Sequence, residues 1–117
     1  MQYTPGLHLL AEIHSDESEL LKDYAPVRKL FADRIEKYGL QTVGEVFHNF
    51  EGGGFTGVIC LTESHLAIHT WPEFGILTFD VYLSNFRRVN DHTVRQLLED
   101  ALSFFKATRY NAQEVQR

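Results

Sequence analysis

A strict alternation of side chains over residues 64–70 constrains the fold of this chain most strongly. His65, Ala67 and His69 occupy every second position, and larger apolar or β-branched residues lie between them. Because residues two apart on a strand share a face, this pattern predicts a half-buried strand with both imidazoles on one side. A turn is expected directly afterwards, over residues 71–75, where proline and glycine interrupt the pattern.

Other extended segments surround this strand, and short loops separate them. Each is rich in β-branched, aromatic or other apolar residues. Three consecutive glycines at residues 52–54 require a loop between two of these segments. The predicted strands cover residues 7–13, 40–50, 56–62 and 76–83, with a last edge strand over residues 108–115.

Two helices are predicted from apolar residues at helical spacing. The first follows the polar, cap-forming stretch at residues 15–19, carries apolar residues up to Ile35, and ends at Gly39. The second begins after Asn90, which suits an N-cap, and carries an apolar stripe up to Phe105.

The order of these elements predicts a single domain over residues 1–117 of the α+β class. We expect a two-layer sandwich, an antiparallel sheet with two helices packed on one face. The other face of the sheet stays free of helices, so a second copy could pair across it or along an edge. A chain of 117 residues builds only a modest core, and an oligomer would bury more apolar surface.

The composition excludes several classes of protein. A net charge of -5 argues against nucleic-acid binding, which normally needs a basic face. No apolar run approaches the ~20 residues of a membrane span, and the N-terminus lacks the features of a signal peptide, so we expect a cytoplasmic location. The single cysteine, Cys60, excludes an intramolecular disulfide. Because it lies in an apolar run, we expect a buried core thiol.

The segment between residues 61 and 73 concentrates reactive groups, and residue chemistry alone leaves several interpretations open. The simplest is a structural strand with solvent-facing histidines. A second is a metal site at His65 and His69, because imidazoles at alternate strand positions can share one ion, although no strong metal spacing is present. Candidates for its further ligands are His48, Glu63 and Glu73.

Two further interpretations use Ser64 as a nucleophile. A hydrolase with His69 as base is disfavoured, because Ser64 lies on the opposite strand face and no nucleophile elbow surrounds it. Alternatively, the Ser64 hydroxyl attacks the carbonyl of Glu63, β-elimination of the resulting ester leaves dehydroalanine, and its hydrolysis gives a pyruvoyl group. That cleavage needs a strained or polarised peptide bond, a base and an oxyanion donor. The two histidines and Thr56 are the groups available.

A glutamate–serine–histidine run begins at Glu63 and is followed, from His69 to Glu73, by histidine–threonine–tryptophan–proline–glutamate. With this motif, the chain resembles the prokaryotic S-adenosylmethionine decarboxylase proenzymes over nearly its whole length. Further segments similar to that family are residues 6–12, 47–50, 57–62 and 80–82.

The resemblance implies self-cleavage between Glu63 and Ser64. The products would be a β chain of residues 1–63 and an α chain of residues 64–117. Ser64 would become a covalently bound pyruvoyl group, the only cofactor implied. In the family this group forms a Schiff base with the amine of an amino-acid substrate and accepts the electrons released as the carboxylate leaves.

The resemblance also assigns roles to three residues outside the cleaved bond. His69 would assist the elimination, and Thr56 stands where the family usually has a serine that helps processing. Ser84 stands where the family has its catalytic cysteine, and a hydroxyl is a much weaker acid than a thiol of pKa about 8.5. This departure leaves open a slower enzyme, a shift of substrate to arginine or ornithine, or a catalytically inactive regulatory relative.

The substrate implied by the resemblance is S-adenosylmethionine, within polyamine biosynthesis. Phe50 matches the aromatic position that stacks on the adenine, and His69 is a second such position. Glu73 would contact the ribose or a positive group, Trp71 would line the pocket, and His65 is grouped with them as substrate-binding. The family's usual assembly, a homodimer of αβ protomers, is expected here too.

Overall fold

One antiparallel sheet of six strands forms the first layer of the molecule. The computed structural model describes residues 2–117, and its strands follow in the order β2-β3-β4-β5-β1-β6 across the sheet. They are β1 (Leu7–His14), β2 (Thr42–Asn49), β3 (Phe55–Leu61), β4 (Ser64–Trp71), β5 (Ile76–Leu83) and β6 (Arg109–Gln116). The predicted strands are confirmed, with boundaries shifted by one or two residues.

Three α-helices form the second layer, where the sequence predicts two. They are α1 (Ser18–Lys22), α2 (Ala25–Lys37) and α3 (Asp91–Phe104), and a 3₁₀ turn covers Pro72–Phe74. The first predicted helix is divided because Asp23 is extended. Pro26 lies in the first turn of α2, where its missing N–H costs nothing. Gly39, with φ +69°, follows the end of α2 as predicted.

The core lies between the helices and one face of the sheet, which confirms the two-layer α+β sandwich. Alternate residues of the inner strands point into it, and Val27, Phe31 and Ile35 of α2 cover one part of that face. The largest fully buried side chains are Phe31, Phe55, Phe79 and Phe105. No helix within residues 2–117 is long and apolar enough to cross a membrane.

The helix-free face of the sheet carries a mixture of polar and apolar side chains. His65 and His69 both lie on this face, as the alternation predicts. The expectation that Cys60 is a buried core thiol is wrong, because its side chain is exposed. In β3 the residues on either side of it, Ile59 and Leu61, take the core positions, so the pleat turns Cys60 to the open face.

Candidate active site

The loop between β3 and β4 places Ser64 in a constrained position. Leu61 and Ser64 pair across the end of the hairpin, so that only Thr62 and Glu63 form its turn. Ser64 also pairs with Leu83 of β5 and has a φ of +137°. Residues other than glycine rarely adopt this backbone conformation, which costs them of order 1–3 kcal/mol. The Glu63–Ser64 peptide bond therefore lies next to a strained residue.

The carbonyl of Glu63 accepts a hydrogen bond from a neighbouring backbone amide. The donor is the Ser84 N–H, at 2.8 Å from the Glu63 oxygen. Ser84 directly follows Leu83, whose pairing with Ser64 brings the end of β5 beside the hairpin turn. A donor here polarises the carbonyl that a nucleophile at Ser64 would attack.

The Glu63 side chain is held by two residues of the loop before α3. Arg88 donates from Nε and Nη2 to the two carboxylate oxygens, at 3.2 and 2.8 Å. Asn90 donates from Nδ2 to Oε1 at 3.0 Å. The Arg88 hydrogen bonds hold the pKa of Glu63 below its ordinary value, against the opposite effect of partial burial, and Asn90 adds to the lowering.

A cavity of about 750 Å³ opens beside this turn. Glu63 and Ser84 line it, together with Thr62 from the turn itself. The remaining lining residues are Gly39, Gln41, Phe86, Arg87 and Arg88. Ser84 and Phe86 also line a second cavity of about 240 Å³ formed with residues 2–4. Ser84 therefore lies between the turn and space that a small molecule can enter.

Thr56 and His69 form a second group of predicted site residues. They are direct partners across β3 and β4, and the Thr56 hydroxyl lies 2.5 Å from Nδ1 of His69. This bond fixes the orientation of the imidazole on the helix-free face. A hydroxyl at this position can therefore serve the histidine as a positioning partner.

Phe50, Trp71 and Glu73 lie near this second group. Phe50 precedes the glycine loop between β2 and β3, is 48% exposed, and stacks edge-on against His48 at 5.1 Å. Trp71 ends β4 and is 42% exposed. Glu73 is exposed in the 3₁₀ turn that follows. Neither aromatic side chain is part of the core, so both are available for contact with a ligand or a partner.

The predicted site residues thus fall into two groups at opposite ends of β4. Ser64, Glu63 and Ser84 are at the start of the strand, whereas His69 lies five residues further on. At about 3.3 Å per residue this separates Ser64 and His69 by about 16 Å. Within one chain His69 does not reach the Ser64 backbone, and the structure does not bring the two groups together.

His65 lies beside the first group, in a row of aromatic rings on the helix-free face. Its ring is 5.9 Å from that of His8 and 6.0 Å from that of Tyr82. Burial lowers the pKa of His8, partly opposed by the carboxylate of Asp80. Among residues 2–117 no group of three or more His, Cys, Asp or Glu side chains is arranged to hold a metal ion.

Sequence reasoning missed Arg88 and the contact that the Asn90 side chain makes with Glu63. Asn90 is the N-cap residue of α3, as predicted, but its side chain makes no capping bond and instead donates to Glu63 and to the Ser84 carbonyl. A pair of arginines between a strand and a helix was the only signal for Arg88. Nothing in the spacing relates it to Glu63, 25 positions earlier.

The fold and site define a class, a small α+β sandwich that presents a strained serine in a hairpin turn beside a polar cavity. The model of the family described as S-adenosylmethionine decarboxylase matches residues 7–117. The chain therefore belongs to the S-adenosylmethionine decarboxylase family.

Individual relatives support this assignment. An S-adenosylmethionine decarboxylase proenzyme of Moorella thermoacetica is 36% identical over 112 residues, covering 96% of this chain and 86% of the relative. One of Persephonella marina is 43% identical over 82 residues, covering 70% of this chain and 62% of the relative. The crystal structure of the Aquifex aeolicus adenosylmethionine decarboxylase matches with a TM-score of 0.86 and 27% identity, over 99% of this chain and 92% of that one.

The match to some relatives is shorter than their full length. It spans 62% of the Persephonella marina proenzyme and 59% of that of Thermodesulfovibrio yellowstonii.

Proposed function

We propose that this protein is a pyruvoyl-dependent S-adenosylmethionine decarboxylase of polyamine biosynthesis that acts in the cytoplasm. One observation carries the proposal: the strained Ser64 follows a carbonyl, that of Glu63, which accepts a 2.8 Å hydrogen bond from a fixed amide. The relatives are named as proenzymes, which supports maturation by cleavage at this bond.

The residues at the turn fit the formation of a pyruvoyl group from Ser64. Attack of the Ser64 hydroxyl on the Glu63 carbonyl carbon forms a C–O bond, the C–N bond breaks, and the hydroxyl proton passes to the departing amine. The negative charge that develops on the Glu63 oxygen faces the Ser84 N–H. A base then removes the Cα proton of residue 64, and the Cβ–O bond breaks, so that Glu63 leaves as a carboxylate and residue 64 becomes dehydroalanine. Tautomerisation to the imine and hydrolysis by water, with release of ammonia, give the pyruvoyl group.

The pyruvoyl group supplies the electron-accepting carbonyl for decarboxylation. The chain's own residues hold the substrate and move protons. Ser84, between the hairpin turn and the cavities, is the proton donor that we assign. We assign Phe50, Trp71, Glu73 and His65 to substrate binding.

We propose that the site is completed by a second copy, because Thr56 and His69 lie about 16 Å from Ser64 along β4. A homodimer that packs the two helix-free faces together can bring these groups of one protomer to the turn of its partner. The exposed Val46 and Val58, 73% and 43% accessible, lie on paired positions of this face. An apolar patch of this kind favours association.

Mass spectrometry and decarboxylation assays test the function. The expected result is two chains, with the α chain starting at a blocked residue 64, and release of labelled CO₂ from S-adenosylmethionine. Arginine and ornithine serve as comparison substrates, and Ser64→Ala is the uncleaved control. An intact wild-type chain, or release of CO₂ from another substrate alone, contradicts the proposal.

Complementation tests the shared site. Ser64→Ala and His69→Ala chains are each expected to be inactive. When the two are co-expressed, the mixed dimer combines Ser64 of one chain with His69 of the other, so cleavage of the His69→Ala chain should reappear. If that chain stays intact in the mixed dimer, the shared site is wrong.

A further inference from the structure

The Glu63 side chain is bound more tightly than its position in a surface turn requires. Three N–H groups of Arg88 and Asn90 donate to its carboxylate. Arg88 Nη2 also donates to the Gly39 carbonyl at 3.0 Å. The guanidinium therefore ties the turn before Ser64 to the end of α2.

Asn90 joins the same turn to Ser84. It is 2% exposed, and its Nδ2 donates both to Glu63 and to the Ser84 carbonyl, the latter at 2.8 Å. Its own backbone N–H donates to Oδ1 of Asn85 at 2.7 Å. Asn85 in turn donates to the Pro5 carbonyl and to Asp91. The polar atoms of Asn90 are thus fixed by hydrogen bonds on several sides.

These contacts close a ring of hydrogen bonds through Glu63, Ser84 and Asn90, beside the Glu63–Ser64 bond. Ser84 N–H donates to the Glu63 carbonyl, the Ser84 carbonyl accepts from Asn90, and Asn90 donates to the Glu63 carboxylate. Asn90 thus links Ser84, whose amide holds the Glu63 carbonyl, to the Glu63 side chain, and Arg88 holds the same side chain. The orientation of the carbonyl is therefore coupled to Arg88 and Asn90.

We propose that Arg88 and Asn90 are positioning residues for self-cleavage. They fix the Glu63 carboxylate and thereby keep the neighbouring carbonyl on the Ser84 amide, in the path of the Ser64 hydroxyl. The inference rests on the proposed function, since it concerns the same bond. After cleavage the Glu63 carbonyl carbon becomes the C-terminal carboxylate of the β chain, and the same ring retains that end beside Ser84.

A positioning role for Arg88 should affect the rate of cleavage much more than the stability of the fold. An exposed ion pair contributes little to stability. A misplacement of about 1 Å at a reacting group, in contrast, slows a reaction by up to about 100-fold. Loss of Arg88 should therefore slow cleavage strongly while the fold loses little stability.

The experiment follows the conversion of newly synthesised precursor into two chains by mass spectrometry over time. Arg88→Met is expected to cleave at least about 10-fold more slowly than wild type. Arg88→Lys should fall between them, because it keeps the charge but not the two-pronged contact. Asn90→Asp, which replaces the donating amide by a carboxylate next to Glu63, should also be slow.

Arg95→Met is the matched control. Arg95 binds Glu114 through Nε and Nη2 at 2.8 and 2.9 Å, in the same two-pronged geometry, but Glu114 is on β6, which β1 and β5 separate from β4. The Arg95→Met protein should cleave at the wild-type rate. In the uncleavable Ser64→Ala background, Arg88→Met and Arg95→Met should unfold at similar denaturant concentrations, which separates positioning from stability for Arg88.

The pH profile of cleavage gives a second readout. Without Arg88 the pKa of Glu63 rises towards its ordinary value, so the acidic limb of the rate should move to higher pH in Arg88→Met. Equal cleavage rates and equal pH profiles in wild type and Arg88→Met overturn the inference alone. A wild-type chain that stays intact overturns the proposed function and this inference with it.

Discussion

Ser64 carries a backbone strain that its hydroxyl chemistry can use. Its φ of +137° belongs to a region that glycine tolerates and serine does not. The intact chain is raised in energy by of order 1–3 kcal/mol at this residue, and the cleavage that we propose would relieve the constraint. The strain and the polarised Glu63 carbonyl therefore act on the same bond.

Two substitutions at Ser64 separate strain from nucleophilicity. Both Ser64→Ala and Ser64→Gly remove the hydroxyl, so both should stay uncleaved. Only glycine relieves the strain, so Ser64→Gly should be more stable than Ser64→Ala by about 1 kcal/mol. Chemical denaturation of the two intact proteins measures this difference, and equal midpoints would show that residue 64 is unstrained.

Ser84 is the residue where acid strength should limit turnover. A thiol, with an ordinary pKa about 8.5, gives up a proton far more readily than a serine hydroxyl. If Ser84 is the proton donor, Ser84→Cys should raise kcat on S-adenosylmethionine, whereas Ser84→Ala should lower it. Steady-state assays of fully cleaved protein test this expectation, and an unchanged kcat in both variants contradicts the assignment.

His8 should make stability depend on pH. Burial lowers its pKa, with Arg117 and His65 adding to that effect and Asp80 opposing it. Because the folded-state pKa lies below the unfolded value, the unfolded chain takes up a proton first as pH falls through about 6.5. The free energy of unfolding should decrease from that pH down to the folded-state pKa.

Replacement of this imidazole tests the linkage. His8→Gln in the Ser64→Ala background should show a smaller loss of unfolding free energy between pH 7.5 and 5 than Ser64→Ala alone. His92→Gln, which makes the same substitution at an exposed position of α3, is the control. The same pH dependence with and without His8 would contradict the linkage.

At the scale of elements, the pairing of β2 with β3 depends on a glycine that the sequence gives no reason to expect. Gly57 lies opposite Phe47, whose ring covers the position that a Cβ at Gly57 would occupy. Phe47 also stacks on Tyr24, with ring centroids 5.1 Å apart. The absence of a side chain at Gly57 thus leaves room for the Phe47 ring, through which the edge strand β2 contacts Tyr24, the residue before α2.

A double-mutant cycle tests this contact. Gly57→Ala should destabilise the protein by about 1–3 kcal/mol, because the added methyl displaces the Phe47 ring. In the Phe47→Ala background the same change should cost much less, since the two residues are coupled. Gly44→Ala, with open space around it, is the control and should change stability by less than about 0.5 kcal/mol. Additive effects would rule out the contact.

At the scale of the whole molecule, the helix-free face is the surface where we expect a second copy to bind. It exposes Val46, Val58 and Cys60, and it carries His69, which lies about 16 Å from Ser64 of the same chain. The homodimer that we propose would bury these side chains and complete the site at the same time.

A charge on this face should separate the protomers. Val58→Asp is expected to convert a dimer into a monomer in sedimentation velocity, with unchanged far-UV circular dichroism, and to slow cleavage. Val89→Asp, at an equally apolar but 75% exposed loop position, should remain dimeric. A dimeric Val58→Asp protein, or a monomeric wild type that cleaves normally, would argue against this interface.

Local pattern determined most of the secondary structure and the motif around Ser64. Alternation places His65 and His69 on one strand face regardless of what surrounds them, and Gly39 ends its helix through its own conformational freedom. These properties depend only on residues close together in the chain, so they can be predicted from the sequence.

Only the tertiary structure decided which residues meet. Arg88 and Asn90 reach Glu63 because β5 returns alongside β4 and leads into α3, a contact over about 25 positions that no periodicity records. Cys60 lies on the open face because the helices cover the other one. Ser64 and His69 share a motif yet lie about 16 Å apart, because each residue of an extended strand advances the chain by about 3.3 Å.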